Sequence, residues 1–241
     1  IFNQTSWLFA FSKDGSYKWN CLGADVAGNS NFSQQGNYTL TIDATSPNAT
    51  ILNPTNNSFL NNGTQNFTIN VSDNSGLANA TVFIYNQSGL YNQTTIALGG
   101  ILQGTIGIVV NLVDGVYTWF WQIVDLANNV FNTATSSGSV GNYTTTVDTI
   151  LPGINIVYPQ NITYAINVSQ LNYTYSDVNA NKCWYSRDNG VTNSSAVNAG
   201  INFTNVISIE GSNIWKVYCN DSAGNLNSTS VIFVKDTSNP N

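Results

Sequence analysis

The sequence predicts an all-β protein, built as tandem β-sandwiches in a rod with the first sandwich incomplete. Thr, Val, Ile, Tyr, Phe and Trp, which suit a pleated and half-buried strand surface, are abundant along the chain. No stretch is amphipathic at a 3.6-residue period over three turns, and Glu, Lys and Arg, which favour helices, are scarce. The chain is 42% hydrophobic, which is enough to form folded cores.

An internal repeat predicts how the strands are divided into domains. One ending occurs three times: DGSYKWNCLGADVAGN at 14–29, DGVYTWFWQIVDLANN at 114–129 and EGSNIWKVYCNDSAGN at 210–225. Each ending leads into a further strand and then into a linker that starts with Asp43, Asp148 or Asp236. The spacing of these linkers is close to the ~100 residues of one small sandwich of about seven strands.

The repeat predicts four segments. Residues 46–148 and 149–236 each read as a full sandwich, and residues 237–241 read as the start of a further linker. Residues 1–45 read as the second half of a sandwich, with three strands between residues 5 and 43. The front half is expected outside the chain or from a neighbouring subunit, because three strands cannot cover their large rings.

The repeated pattern YxWxCxxxDxAGN, followed by V/I-D-x-x-x-P, resembles the immunoglobulin-like repeats of large archaeal and bacterial cell-surface or filament proteins. The resemblance covers nearly the whole chain. It implies immunoglobulin-like sandwiches and an extracellular, cell-surface location. It also implies that the partners are other copies of the chain or further domains of the same chain. The motif does not define a particular function, because this sandwich supports many functions.

Composition argues against three classes of function. The chain has no His and a single Glu, and no Ser or Cys is paired with a base, so we do not expect an enzyme. The six cationic residues are scattered and the net charge is −6, which disfavours nucleic acid as a partner. No run of 18 apolar residues is present, so the sequence predicts no membrane span.

Asparagine-linked glycosylation is the strongest functional signal. With 39 Asn and 49 Ser or Thr, about 8 Asn-x-Ser/Thr acceptor sequons would arise by chance. The sequence contains 19 of them. The acceptor residues are Asn3, Asn31, Asn37, Asn48, Asn56, Asn62, Asn66, Asn70, Asn79, Asn86, Asn92, Asn142, Asn161, Asn167, Asn172, Asn193, Asn202, Asn220 and Asn227.

The placement of the sequons supports covalent N-glycans. In NFTINVSD (66–73), Asn66 and Asn70 share one strand face with their Thr and Ser, while the apolar residues share the other. The same design occurs in NYTTTVD (142–148) and NYTYSD (172–177). An alternative is that Asn, Ser and Thr only form an uncharged wet face, whose two-residue period produces sequons without modification.

Three cysteines are present, and two predict a disulfide. Cys183 and Cys219 are expected on neighbouring strands of the last sandwich, where an exported chain would oxidise them. Two free buried thiols are the alternative. Alignment on Gly89 and Asp125 predicts that Val82 and Trp121 are the equivalents of this pair. Cys21 aligns with Cys219, and its partner is expected in the absent front half of the first sandwich.

Two groups of aspartates are candidate Ca²⁺ sites at the domain junctions. The incoming linker and two loops of each sandwich meet at one end, which groups Asp43, Asp73 and Asp125, and also Asp148, Asp177 and Asp221. Three carboxylates with backbone carbonyls form the oxygen environment that Ca²⁺ prefers. The alternative, which the sequence favours, is that each Asp only closes a local turn. No other cofactor is expected.

These observations predict a structural segment of a glycan-coated extracellular filament or rod-like surface protein. Strand exchange between subunits is one possible mode of assembly. The alternative is an adhesin or carbohydrate-binding module of a secreted multidomain protein. That alternative needs coplanar exposed rings on one face. The alternation instead predicts that most rings point inward, with Phe120 pointing outward.

Overall fold

The computed structural model describes residues 6–136 and 141–238. These residues form strands, turns and loops, and they include no helix that is long and apolar enough to cross a membrane. Spatial clustering divides the chain into two compact units. The first is Ile1–Pro54, Asn66–Ile108 and Thr118–Tyr143, and the second is Thr55–Gln65, Val109–Tyr117 and Thr144–Asn241. These units do not coincide with the domains predicted from the repeats, whose boundaries stay a prediction.

The first unit begins with four short strands: β1 (Gly15–Trp19), β2 (Leu22–Ala24), β3 (Ser30–Phe32) and β4 (Tyr38–Ile42). β1 pairs antiparallel with β4, and β2 pairs antiparallel with β3. The strand predicted before β1 is wrong, because residues 6–12 form no regular strand and Leu8 is fully exposed. A segment of alternating apolar and polar residues forms a strand only where a neighbouring strand accepts its backbone hydrogen bonds. No described strand lies beside residues 6–12 to do so.

Nine strands follow. They are β5 (Asn48–Asn53), β6 (Ser58–Leu60), β7 (Thr64–Ser72), β8 (Leu77–Asn86), β9 (Gly89–Ala97), β10 (Gln103–Asn111), β11 (Gly115–Asp125), β12 (Val130–Asn132) and β13 (Tyr143–Val147). In the first unit, β7 lies between β5 and β10 in one sheet. β8 pairs with β9 on one side and with β11 on the other, and β11 also pairs with β12. In the second unit, β6 pairs in parallel with β13.

The core of the first unit lies between its two sheets. The inward residues of β7, β8 and β11 alternate with exposed ones, as the period of two predicts. Phe67 of β7 packs edge-to-face on Trp119 of β11, with ring centroids 4.9 Å apart. Val82, Ile84 and Trp121 are also fully buried, so this face is a closed core.

The first copy of the repeated ending has an open face. β2 and β3 pair at Leu22↔Phe32, the same register as β11 and β12 at Gln122↔Asn132. Trp119 is fully buried, but the corresponding Trp19 is 50% exposed and stacks only on Tyr38. Cys21 is exposed as well. The prediction that other polypeptide covers this face is therefore still to be tested.

The rest of the second unit contains eight strands. They are β14 (Gly153–Tyr158), β15 (Thr163–Tyr164), β16 (Gln170–Ser176), β17 (Ala180–Ser186), β18 (Val197–Asn198), β19 (Phe203–Thr204), β20 (Gly211–Asp221) and β21 (Leu226–Lys235). One sheet has the order β14-β16-β19, and the other has the order β15-β21-β20-β17-β18. β15 and β21 are parallel, and the other paired strands of these sheets are antiparallel.

A single core joins these two sheets. Leu171 and Phe203 come from the first sheet, and Trp215, Val217 and Phe233 come from the second. The rings of Trp215 and Phe233 pack edge-to-face at 4.9 Å. The strands are thus distributed over two sheets that pack on one apolar layer, which is the arrangement of a β-sandwich.

Candidate metal sites and asparagine acceptors

The first unit brings Asp43, Asp73 and Asp125 together, as the sequence predicts. Asp43 follows β4, Asp73 follows β7 and Asp125 ends β11. One carboxylate oxygen from each residue lies within 4.8 Å of the others. Ca²⁺ binds oxygen at roughly 2.3–2.6 Å, so one ion between the three oxygens would reach all of them.

Local turns hold two carboxylates of this first cluster, those of Asp43 and Asp73, through one oxygen each. Asp73 Oδ1 accepts the backbone N–H groups of Ser75 and Gly76, both at 2.8 Å. Asp43 Oδ1 accepts the N–H of Thr45 at 3.1 Å. The turn interpretation is therefore correct for these oxygens, but it does not account for the second oxygens of Asp43 and Asp73.

Two oxygens of the first cluster lack a partner. The Oδ2 atoms of Asp43 and Asp73 are buried and accept no hydrogen bond. Two carboxylate charges within 4.8 Å of each other repel by at least about 3 kcal/mol at the effective dielectric constant of partly buried sites. A divalent cation would remove this repulsion and satisfy both oxygens, so the residues present fit Ca²⁺.

The second unit brings Asp148, Asp177 and Asp221 together. One carboxylate oxygen from each of them also lies within 4.8 Å of the others. Asp148 and Asp221 are buried. Here the side-chain amide of Asn179 enters the cluster, and its Nδ2 donates to Asp148 Oδ2 at 2.7 Å. Asp177 Oδ1 accepts the backbone N–H of Asn179 at 2.7 Å. This second cluster thus contains a neutral donor at a place where the first cluster has none.

Burial and charge alter the pKa of two groups at the second cluster. Burial raises the pKa of Tyr175 to about 12, and the nearby charges of Asp177, Asp221 and Asp148 add to the effect. Burial also raises the pKa of Asp177, partly offset by the hydrogen bond from the Asn179 backbone. Both directions are those expected of a site where negative charge is crowded and poorly hydrated.

The last Asn of the DxAGN motif joins each cluster to its incoming linker, a role that the sequence reasoning missed. Asn225 Nδ2 donates to Asp221 Oδ2 and to the backbone oxygen of Asp148, both at 2.7 Å. Asn129 Nδ2 donates to Asp125 Oδ2 at 2.8 Å and to Asp43 O at 3.1 Å. The recurrence of Asn four residues after each Asp was the available signal.

A second recurring contact fixes the linkers from the start of the repeated ending. Asp114 Oδ1 accepts the N–H and hydroxyl of Thr149 at 2.9 and 3.0 Å. Glu210 accepts the same two groups of Thr237 at 2.7 and 2.9 Å. Asp14 does the same in the first unit, with the N–H of Ala44 and the hydroxyl of Thr45. No role was assigned to these acids from the sequence alone.

The acceptor asparagines lie at the surface. Asn3 falls outside the described residues, and none of the other eighteen acceptors is buried. The two buried asparagines of the described chain, Asn213 and Asn225, are both outside sequons. The alternation predicted for β7 is confirmed, with Asn66 and Asn70 exposed on the face opposite the core.

One acceptor differs from the others in its hydrogen bonding. The side-chain Nδ2 of Asn227 donates to the backbone oxygen of Pro152 at 2.8 Å. That nitrogen is the atom to which an N-glycan is attached, so its use in the fold opposes modification. By contrast, Asn70 and Asn202 use their Oδ1 atoms as acceptors, which leaves the amide nitrogen for a sugar.

Cys183 and Cys219 form a disulfide, with an S–S distance of 2.06 Å, as the sequence predicts. The predicted equivalents in the first unit are wrong. Cys219 lies two residues before Asp221, and the matching position before Asp125 is Ile123, whose partner is Ala80. By the same count Cys21 matches Val217 rather than Cys219, because it lies four residues before its Asp. The alignment failed because it did not keep the spacing to the motif Asp.

Aromatic rings form rows on outer sheet faces. Phe120 points away from the core, as predicted, and stacks on Phe83 with centroids 5.0 Å apart and planes 15° apart. Tyr85 extends the row at 6.1 Å and 14°. In the second unit, Trp184 and Tyr218 stack at 5.8 Å and 9°. These rings are partly exposed, and nearly parallel rings of this kind can receive the apolar face of a sugar.

Comparison with known proteins gives only distant similarity. No family model matches the chain, and no curated protein matches it. The fibronectin(III)-like modules of Clostridium thermocellum CbhA are 16% identical, over 78% of this chain and 95% of that chain, with a TM-score of 0.42. A tetra-tandem repeat from the extending region of a large adhesion protein is 17% identical, over 93% and 57%, with a TM-score of 0.39. The FN1–FN3 domains of chicken CNTN1 are 9% identical, over 91% and 78%, with a TM-score of 0.34.

Because these TM-scores are low, the similarities do not bear on function, and the assignment of the fold rests on the pairing of the strands. In the second unit that pairing gives one sheet of β14, β16 and β19 and one of β15, β21, β20, β17 and β18. The first strand is divided between the sheets as β14 and β15, and Trp215 and both disulfide cysteines belong to one buried core. This order identifies the unit as an immunoglobulin-like β-sandwich.

Proposed function

We propose that this chain is a non-catalytic structural segment of an extracellular, glycan-coated surface protein or filament. The placement of the acceptor asparagines carries the proposal, because every described acceptor is accessible while the buried asparagines are outside sequons. The disulfide between Cys183 and Cys219 supports an oxidising, extracellular environment. With only 7% charged residues, attached sugar would supply the hydration that charge provides on most surfaces.

Peptide mass spectrometry of the native protein tests the glycan coat. We expect sugar on the strand-borne acceptors Asn66, Asn70, Asn142 and Asn172. Asn227 provides an internal control, since its amide nitrogen is bonded to Pro152 and we expect it to be largely unmodified. Four unmodified strand acceptors in the native protein would contradict the proposal.

We further propose that the first cluster binds Ca²⁺. The buried and unpartnered Oδ2 atoms of Asp43 and Asp73 support this, together with the 4.8 Å grouping with Asp125. Bound Ca²⁺ would join the linker that follows β4 to the ends of β7 and β11, and would stiffen the first unit there. Calorimetric unfolding in CaCl₂ and in EGTA tests it. We expect a higher unfolding temperature in CaCl₂, and an unchanged temperature would contradict the site.

Assembly by strand exchange is the finer part of the proposal. β1 pairs with β4 alone among the described strands, and its Trp19 is half exposed, so an edge and an apolar face are available to a strand from another copy. We expect the chain to self-associate in light scattering and Trp19→Ser to weaken association. Trp7→Ser is the matched control, because Trp7 is exposed outside the sheet. A wild-type chain that stays monomeric at every concentration would contradict exchange.

A carbohydrate-binding role is the second candidate, favoured by the ring row of Phe83, Phe120 and Tyr85. Affinity electrophoresis in gels that contain polysaccharide tests it. Retardation that Phe120→Ala removes would support this role, and unchanged mobility in a range of polysaccharides would exclude it.

A further inference from the structure

The two clusters differ at one loop position. Gly76 and Asn179 occupy the same place, because the backbone oxygen of each accepts the N–H of the residue after the last cluster Asp. Leu126 donates to Gly76 at 2.9 Å, and Ser222 donates to Asn179 at 2.7 Å. The loop of the first unit therefore presents no side chain at this position, whereas the loop of the second unit presents an amide.

The amide of Asn179 accounts for the different hydrogen bonding of the two linker aspartates. Asp148 Oδ2 accepts the Asn179 Nδ2 hydrogen bond at 2.7 Å, while Asp43 Oδ2, its counterpart, is buried with no partner. Gly76 cannot be replaced by a larger residue without strain. Its φ is +127°, and a Cβ atom there would lie 3.0 Å from the Gly100 backbone oxygen. The first loop is thus held in a form that offers no side-chain donor to the carboxylates.

We propose that the Asn179 amide takes the place of a cation at the second cluster, so that only the first cluster binds Ca²⁺. This inference rests on the proposed Ca²⁺ binding of the first cluster. An amide N–H directed at a carboxylate supplies a fixed partial positive charge without any ion. A cation that approached Asp148 Oδ2 would have to break this 2.7 Å hydrogen bond, whereas Asp43 Oδ2 has none to break.

Isothermal titration of the 241-residue chain with CaCl₂ tests the inference through four proteins. The wild type is expected to bind one Ca²⁺ per chain. Asp73→Asn should abolish binding, and the chemically identical change Asp177→Asn should leave it unaltered. In both variants the Asn oxygen can still accept the loop N–H bonds. Asn179→Ala, which removes the amide, should bind two Ca²⁺ per chain, and circular dichroism confirms that each variant is folded.

The outcomes separate the inference from the site that it builds on. Two Ca²⁺ per wild-type chain, or a site lost in Asp177→Asn, would overturn the inference and leave Ca²⁺ binding in place. A folded Asn179→Ala variant that still binds one Ca²⁺ would also overturn it. Binding of Ca²⁺ by Asn179→Ala but not by the wild type would contradict the proposed site at the first cluster and support the role of Asn179. If no protein binds Ca²⁺, both proposals are wrong.

Discussion

The first and second aspartate clusters use the same three backbone positions but neutralise their charge differently. The first cluster leaves Asp43 Oδ2 and Asp73 Oδ2 buried without partners, beside a loop that has Gly76. The second cluster has the Asn179 amide on Asp148, and its strand β20 carries the Cys219 disulfide two residues before Asp221. The comparison sets one repeat, whose cluster has a covalent bond nearby and a neutral donor, against another for which we propose a cation.

Removal of the disulfide should give the largest effect and should act on the second cluster only. The bond closes a loop of 36 residues, so Cys183→Ala with Cys219→Ala should lower the free energy of unfolding of the second unit by about 3–4 kcal/mol. Urea denaturation measures this loss. Cys21→Ser is the control and should change stability little, because Cys21 is exposed and unbonded. An equal loss in the control would show that the thiols matter for another reason.

The motif asparagines provide the next comparison. Asn225→Ala removes the 2.7 Å bonds to buried Asp221 and Asp148 and should cost about 2–3 kcal/mol of unfolding free energy. Asn129→Ala should cost only about 1 kcal/mol, because its bond to the Asp43 backbone is longer, at 3.1 Å, and the residue is partly exposed. Urea denaturation of the two variants gives the difference. Equal losses would mean that both linkers are held alike.

The choice of ion sharpens the description of the first cluster. Ca²⁺ accepts about 6–8 oxygen ligands in flexible geometry, whereas Mg²⁺ requires a near-octahedral set at about 2.0–2.1 Å and gives up its waters reluctantly. Local turns fix the three carboxylates, so they suit the ion with the less strict geometry. We therefore expect Ca²⁺ to bind at least tenfold more tightly than Mg²⁺ in titration calorimetry. Comparable affinities would indicate that the loops close around the smaller ion, and would argue against a fixed oxygen spacing.

Acid should weaken the linker contacts of both units alike. The expected difference between the units is therefore smallest in this pH experiment. Hydrogen bonds from Thr45 lower the pKa of Asp14, and the backbone hydrogen bond from Thr237 lowers that of Glu210. A depressed folded-state pKa gives stability that is complete above the unfolded-state value of about 4 and is lost as the pH falls below it. Unfolding temperature should therefore decrease in acid, and Asp14→Asn and Glu210→Gln should each flatten that decrease. Flattening by only one variant would show that the two contacts are not equivalent.

Much of the fold could be predicted because its signals are local. The alternation in NFTINVSD placed Phe67 and Ile69 inside and Asn66 and Asn70 outside, and the structure agrees. By contrast, the apolar segment 201–210 contains only the short strand Phe203–Thr204, since the backbone N–H groups of Val206 and Ser208 donate from an irregular segment to Ser169 and Val168. That difference depends on which backbone groups are nearby in space, and alternation along the chain contains no such information.

By itself, the sequence determined the strand periodicity, the repeat, the grouping of the two aspartate triads and the pairing of Cys183 with Cys219. Each of these follows from a short pattern or from a connection order that sandwiches share. Only the tertiary structure decided that Cys183 corresponds to Ala80, since the register across two strands sets that relation. It also decided that Asn179 reaches Asp148 while Gly76 reaches nothing. These two side chains are 31 residues apart in the sequence, so their contact depends on the packing of whole strands, which no local pattern specifies.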